Sequence, residues 1–488
     1  MKDNIKLDWR ICSRARLSRD PRFDGKFFIG VLGSRVYCRS ICPAPTAKEK
    51  NCRYFPTAAA AAEAGFRPCL RCRPECSPAT KAWAGTSNTV SRALLLIGES
   101  GLESGGIETL AERLGVGPRH LRRLFLKHLG AAPSSVAQTR RLHFAKKLID
   151  ETRLPMSQVA IAAGYGCVRR FNAAIQKNYR RTPTHIRKLA RPGAHAGENL
   201  YVFSLRYRPP YEWKGMLDFL ERRAIPGVES VLGGVYRRTI KIGGKRGYFE
   251  VTHTENHSLG VTVQFDDPSA LFFIVERIRA MFDLNADPGK IAQTLRKDSK
   301  LAPLVRATPG MRLPGCWDPF ELSIRTIVGQ QISVRGASTI TGRIAAKFGT
   351  LYAPSPGLTH IFPTPDVLAR ADLTSLGLTK ARAETIREFA RAVRDGEVRF
   401  TGVIDLHEFL SKLTALPGVG AWTAQYIAMR ALGEPDAFPT GDVALLRASG
   451  LANHRALTAR AEAWRPWRSY ATLYLWNAHK PQAVRRAA

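Results

Sequence analysis

The sequence predicts a multidomain protein, mainly α with α+β parts, and three observations predict it. At 488 residues the chain is too long for one core. Its 44% hydrophobic content supports folded domains over disorder. Its patterning also changes along the way: paired cysteines near the start, helical periodicity with glycine turns from about 107 to 190, alternating strands from about 200 to 265, and helical periodicity almost everywhere after 300. Two stretches without periodicity, SPATKAWAGTSNT (77–89) and RPGAHAGEN (191–199), read as linkers. The expected segments are 1–80, a small cysteine-rich metal domain; 88–190, a double helix-turn-helix; 198–300, a strand-rich α+β subdomain; and 301–488, an all-α domain.

The formal net charge is +35, divided as +22 over residues 1–200 and +13 over 201–488. Two basic halves fit phosphate binding along a duplex. A soluble protein of high pI, or a membrane-surface binder, is the blander reading of charge alone. No apolar run approaches a bilayer span. The first residues, MKDNIKLDWR, mix charges of both signs, unlike a secretory signal. A cytoplasmic protein with no membrane partner is therefore expected. Seven of the nine cysteines fall within the first 76 residues. In a large chain without a signal, such a cluster reads as metal binding before disulfides.

In the first segment, Cys38-Arg-Ser-Ile-Cys42 and Cys69-Leu-Arg-Cys72 form C-x3-C and C-x2-C pairs. Each spacing lets two thiolates on one turn meet a single ion, and two such turns complete a tetrahedral Zn2+ site. A zinc ribbon that only holds the fold is the usual reading of four cysteines. Cys12, Cys52 and Cys76 have no partner at ligand spacing. Residues 24–75, with DGKFFIGV, VYCRSIC, YFPTAAAAAEAGFRPC and LRCRPE, resemble the N-terminal domain of the Ada family of regulatory proteins. That resemblance implies repair of methyl phosphotriesters, with Cys38 as the irreversible methyl acceptor and Cys42, Cys69 and Cys72 as the other zinc ligands. The chemistry is sensible: a metal-bound thiol stays deprotonated and nucleophilic at neutral pH.

The second segment reads as helix, glycine turn, helix from Ile107, with Leu110, Leu114, Leu121, Leu124 and Phe125 on one face. Arg119, Arg122 and Arg123 occupy the exposed positions of the second helix. A second copy spans 156–183, its recognition helix running from about Cys167 to Lys177 with Arg169 and Arg170 outward. With a connecting helix near 134–150, the pair resembles the AraC-type DNA-binding domain, which implies promoter DNA as a partner and RNA polymerase as another. Either copy alone would be a common helical pair.

In the last segment Leu416-Pro-Gly-Val-Gly-Ala-Trp-Thr-Ala424 is a helix-hairpin-helix signature, in which a glycine turn precedes a helix presenting free amides to a DNA phosphate. Phe438-Pro-Thr-Gly-Asp442 follows the partner helix; an isolated Gly-Asp is most often a turn or cap. Together with residues 207–231, 312–333 and 464–476, these motifs resemble the AlkA-type 3-methyladenine DNA glycosylases across essentially 198–480. The resemblance implies that Asp442 is the catalytic carboxylate and that Trp422, Tyr426 and Trp476 form the base pocket. It further implies that Gly418 and Gly420 belong to a phosphate-binding hairpin, which also holds a monovalent cation through carbonyls. The residue types suit the chemistry: a damaged base must leave the stack, electron-rich rings attract a cationic purine, and a carboxylate stabilises the sugar's oxocarbenium character. Trp422 and Trp476 could equally be core residues; Trp464 and Trp467 are read as core.

Two departures stand out. The wedge position, apolar in the best-known member of that family, is Gln331, and Asn477 follows Trp476 where some relatives carry an aromatic. Bifunctional superfamily members carry a lysine at the position of Trp422, so a monofunctional hydrolase is expected. No cysteine lies beyond Cys316 to ligate a C-terminal iron–sulfur cluster, and no Pro-Cys-His-Arg acceptor motif for O6-methylguanine is present. The reading is thus a monomeric fusion of a methyl-sensing regulator with a glycosylase acting on alkylated double-stranded DNA. The alternative is a transcriptional activator whose C-terminal half binds damaged DNA without turnover.

Overall fold

A computed structural model describes residues 7–78, 89–90, 93–94, 96–97, 106–190, 199–400 and 406–478. Most of the two expected linkers, 79–88 and 191–198, lies outside those residues. The chain forms two compact units: residues 1–209, 254–279 and 284–286, and residues 210–253, 280–283 and 287–488. The expected segment 198–300 contributes to both.

In the first unit, β1 (Phe28–Val31), β2 (Val36–Cys38), β3 (Cys52–Phe55) and β4 (Arg67–Pro68) form a sheet in the order β3-β1-β2-β4. The β1–β2 and β1–β3 pairs are antiparallel, whereas β4 runs parallel to β2, with Tyr37 opposite Pro68. The helix Ala58–Glu63 lies close because its inward face is only methyl groups, Ala59, Ala60 and Ala61. Gly30 is required on β1, since a Cβ there would sit 2.8 Å from Phe55 and 2.9 Å from Phe66.

The helices Gly106–Arg113 and Pro118–Leu129 meet across a turn in which Gly115 takes φ +62°. Leu110, Leu114, Leu121 and Phe125 are buried there, with Leu124 packed against them. The long helix Pro133–Glu151 leads to Met156–Ala162, Val168–Tyr179 and Pro183–Leu189, with Gly164 (φ +75°) in the second turn. Strand β5 (Leu200–Arg206) alternates as expected, burying Tyr201, Phe203 and Leu205. It pairs antiparallel with strand Ser258–Phe265.

The second unit holds an antiparallel meander, Glu229–Leu232, Val235–Ile242 and Lys245–Thr254. Among the described residues after 300 its regular structure is helical except for the short pair Thr350–Leu351 and His360–Ile361, too brief to leave a periodic signal. Several of its helices begin on side-chain caps: Asp318 accepts from the amides of Phe320 and Glu321, and Thr379 from that of Arg382. Trp464 and Trp467 are core residues, and the Trp464 indole donates to Asp298 at 2.9 Å. No helix among the described residues is long and apolar enough to cross a membrane.

Candidate functional sites

The register of β2 against β4 builds the first site. Tyr37 opposite Pro68 makes neighbours of the next residues on each strand, Cys38 and Cys69, and the Cys69 amide donates to the Tyr37 carbonyl at 3.0 Å. A turn, Cys42 amide to Arg39 carbonyl at 3.2 Å, brings Cys42 round. The Sγ atoms of Cys38, Cys42, Cys69 and Cys72 all lie within 4.8 Å of one another. Four sulfurs at tetrahedral Zn–S bond lengths stand about 3.8 Å apart, so the cluster fits that ion. Cys69 and Cys72 are buried, while Cys38 and Cys42 keep partial access to solvent. Arg39, in the middle of the first pair, was not singled out from sequence. It is buried, donates to Asp24 Oδ1 at 2.7 Å and to the Cys72 carbonyl at 2.9 Å, and its amide lies 3.4 Å from Cys72 Sγ. Cys12, by contrast, is an ordinary thiol, pushed up to about 11 chiefly by burial.

The second candidate surface is basic. Arg119, Arg122 and Arg123 on Pro118–Leu129, and Arg169 and Arg170 on Val168–Tyr179, are all exposed. None of the five is ion-paired with a carboxylate among the described residues. A cleft of about 570 Å³ between the two helical pairs takes Arg122 and Arg170 from them and Arg141, Ser134 and Gln138 from the long helix.

The third site surrounds Asp442, the N-cap of the helix Val443–Ser449. Its Oδ1 accepts the Leu445 amide at 2.7 Å and the Trp476 indole at 3.2 Å, and its Oδ2 accepts the Trp422 indole at 2.9 Å. Trp422 and Tyr426, one turn apart on Ala421–Ala431, stack with ring centroids 5.3 Å apart; Trp476 stands 6.1 Å from Tyr426. The four residues are therefore brought together. Gly418 turns the hairpin at φ +79°, where a Cβ would strike Thr385 Oγ1 at 2.3 Å. Gly420 caps the next helix without a side chain and faces open space. Gln331 is exposed and also left-handed, at φ +59°. Its neighbour Gln330, which carried no motif signal, donates to the Gly418 carbonyl at 2.9 Å and to Thr423 Oγ1 at 3.0 Å, tying that loop to the hairpin.

Four family descriptions match in succession: Metal binding domain of Ada over 11–75, Helix-turn-helix domain over 110–189, AlkA N-terminal domain over 202–318, and HhH-GPD superfamily base excision DNA repair protein over 324–463. The fold of the glycosylase-like part is shared with a 3-methyladenine DNA-glycosylase from Archaeoglobus fulgidus (TM-score 0.51, 22% identity, 58% of this chain and 99% of that one). DNA-3-methyladenine glycosylase 2 of Escherichia coli is 33% identical over 279 residues, 56% of this chain and 96% of that protein. A Mycobacterium tuberculosis protein described as "Probable bifunctional transcriptional activator/DNA repair enzyme AlkA" is 40% identical over 478 residues, 96% of each chain. With that likeness running through both halves, the chain belongs to the family of bifunctional transcriptional activator/DNA repair proteins in which an Ada-type metal-binding and helix-turn-helix half is joined to an AlkA-type glycosylase.

Proposed function

We propose that the helical half hydrolyses the N-glycosidic bond of alkylated bases, with Asp442 as the carboxylate that stabilises the sugar. The observation that carries this reading is the three-donor grip on Asp442 beside an aromatic wall. Donors on both oxygens hold the carboxylate aimed, ready for charge that develops only in the transition state. A flipped purine made cationic by alkylation would lie against Trp422, Tyr426 and Trp476, with Gln331 filling the gap in the duplex. As the C1′–N bond breaks, its electron pair leaves with the base. Asp442 faces the resulting oxocarbenium character, and a water oxygen then adds to C1′ and loses a proton, leaving an abasic site. With Trp422 where a Schiff-base lysine would stand, strand cleavage is not part of the reaction. The open first turn after Gly420 suits a DNA phosphate, and the hairpin's main-chain carbonyls suit a hard monovalent cation.

In the N-terminal half, Cys38, Cys42, Cys69 and Cys72 would hold zinc, which keeps the thiols deprotonated. The Cys38 thiolate attacks the methyl carbon of a methyl phosphotriester: an S–C bond forms, the C–O bond breaks, and a phosphodiester anion leaves. Exposed Arg119, Arg122, Arg123, Arg169 and Arg170 would engage a promoter duplex, and recruitment of RNA polymerase by the monomer completes the regulatory role. These activities follow the segments 1–80, 88–190, 198–300 and 301–488.

The test is base release from methylated duplex DNA. Asp442→Asn keeps the cap and should still bind damaged DNA, while releasing 3-methyladenine roughly 100- to 1,000-fold more slowly. Full activity in that variant would refute the assignment. Mass spectrometry of the same chain after exposure to methylated DNA should place a single methyl group on Cys38; a methyl elsewhere would refute that role.

A further inference from the structure

Beneath the aromatic pocket the second unit buries more cation than it neutralises. Tyr426 and Arg430 are both buried on Ala421–Ala431, and Arg430 Nη1 donates to the Tyr426 phenol oxygen at 2.9 Å. Arg223, just past the helix Trp213–Glu221, and Arg325 of Pro319–Val328 add their charge from two further elements. Arg430 spends its other donors on the carbonyls of Pro314 and Gly315. Arg325 donates to the Arg223 carbonyl at 2.9 Å and to Ser338 Oγ at 3.0 Å, and Arg223 lies over the Phe219 ring at 3.8 Å. Among the described residues no carboxylate stands within ion-pair distance of any of the three. The acids packed nearby are engaged elsewhere: Glu321 with Arg238 at 2.8 Å, Glu229 with the Tyr236 hydroxyl, and Asp442 with the two indoles.

Arg430 is buried and Arg223 and Arg325 are half-buried, and guanidinium groups drawn out of water without an anionic partner are costly. Glu229 and Glu321 line the same cavity and Glu229 acts on Arg325 from beyond ion-pair distance, but among the described residues the ionisable group hydrogen-bonded to the trio is the Tyr426 phenol. We propose that Tyr426 is a charge-tuned specificity residue: set between the base pocket and three arginines that lack a carboxylate partner, its phenol adjusts how strongly the pocket prefers a positively charged alkylated base to a neutral one. The inference rests on the glycosylase reading and deepens it.

The electrostatics agree in direction. Burial pulls the phenol upward, yet Arg430, Arg223 and Arg325 bring it down to about 8. Tyr37, Tyr179 and Tyr470, equally enclosed, are pushed well upward by the same burial. Whatever the absolute field at the base, ionising Tyr426 removes one unit of positive charge from behind it. Preference for a cationic base over a neutral one must therefore rise with pH through this titration.

The experiment uses the full chain. Near-ultraviolet absorbance follows tyrosinate formation, while release of 3-methyladenine, cationic in DNA, and of neutral hypoxanthine is measured from matched duplexes between neutral and alkaline pH. One tyrosine should ionise at about 8. That step should be absent from Tyr426→Phe and displaced upward in Arg223→Gln. The charged-to-neutral release ratio should climb through the same midpoint, and at its alkaline end should lie roughly 5- to 30-fold lower in Tyr426→Phe. An active enzyme with no early tyrosinate overturns the inference and leaves the glycosylase reading standing. So does an early tyrosinate accompanied by a ratio indifferent to pH. An early tyrosinate in a chain that released no base would overturn the glycosylase reading, and the specificity role with it.

Discussion

Asp442 illustrates how much one side chain does here. Its carboxylate caps a helix through the Leu445 amide and simultaneously takes the N–H groups of Trp422 and Trp476. The indoles are therefore more than stacking surfaces: they fix the carboxylate's orientation, which on the proposed glycosylase reading would be toward the reacting sugar. Replacing Trp476 by Phe keeps an aromatic wall and removes one donor to a charged acceptor, a loss of about 1.5–3 kcal/mol if the bond tightens in the transition state. The expected outcome for Trp476→Phe is a kcat roughly 10- to 100-fold lower with KM little changed. An equal rise in KM with kcat intact would make Trp476 a binding surface only. Asp442, Trp422, Tyr426 and Trp476 were legible in the sequence because each sits at a fixed offset from the hairpin or the terminal aromatic run. Gln330, Arg223, Arg430, Asp24 and Arg39 were not, because their partners are far away in sequence and no local pattern marks a residue that acts by supporting another.

The hairpin and the helix after it separate two uses of glycine. Gly418 is needed by the protein itself: its φ of +79° and the Thr385 hydroxyl leave no room for a Cβ. Gly420 is not, since its φ of −85° suits any residue and nothing in the chain lies within 4 Å of a Cβ there. Gly418→Ala should thus cost about 2 kcal/mol or more and lower Tm. Gly420→Ala should leave Tm unchanged and weaken DNA binding by roughly tenfold, because the added methyl group stands where a phosphate would approach the open helix turn. A matching loss of Tm in both variants would remove the distinction. At this scale the sequence was informative wherever a period could accumulate. The alternation Tyr201, Phe203, Leu205 announced β5. The recognition helix expected over about 167–177 is Val168–Tyr179, with Cys167 at its N-cap. Strands as short as β2 and β4 announce nothing, although their parallel register is what assembles the four cysteines.

For the whole molecule, the charge of the four-cysteine site is expected to bear on how tightly the regulator half would hold DNA. Four thiolates around a doubly charged ion leave a net charge of about −2. Turning Cys38 into a thioether removes one negative charge beside arginine-bearing helices of the same compact unit. Less repulsion from DNA phosphates should tighten promoter binding by roughly 5- to 150-fold at low salt, with the gain shrinking as salt rises. Titrating the full chain, methylated and unmethylated, against a promoter duplex at several salt concentrations checks this. Equal affinities at low salt would make Cys38 a repair site with no regulatory output through charge.

The sequence by itself determined the inventory: four successive segments, a four-thiolate ligand set, paired helix-turn-helix units, a hairpin followed at a fixed interval by Asp442, and an excess of positive charge suited to nucleic acid. Such features are local, set by residues within a turn or two of one another, and spacing records them. Only the tertiary structure decided how residues 198–300 divide between two compact units, that both indoles converge on Asp442, and that three arginines from three separate elements, none ion-paired among the described residues, gather about the Tyr426 phenol. Those arrangements depend on desolvation and on charges brought together across long loops. Buried electrostatics of that kind leave no period in a sequence.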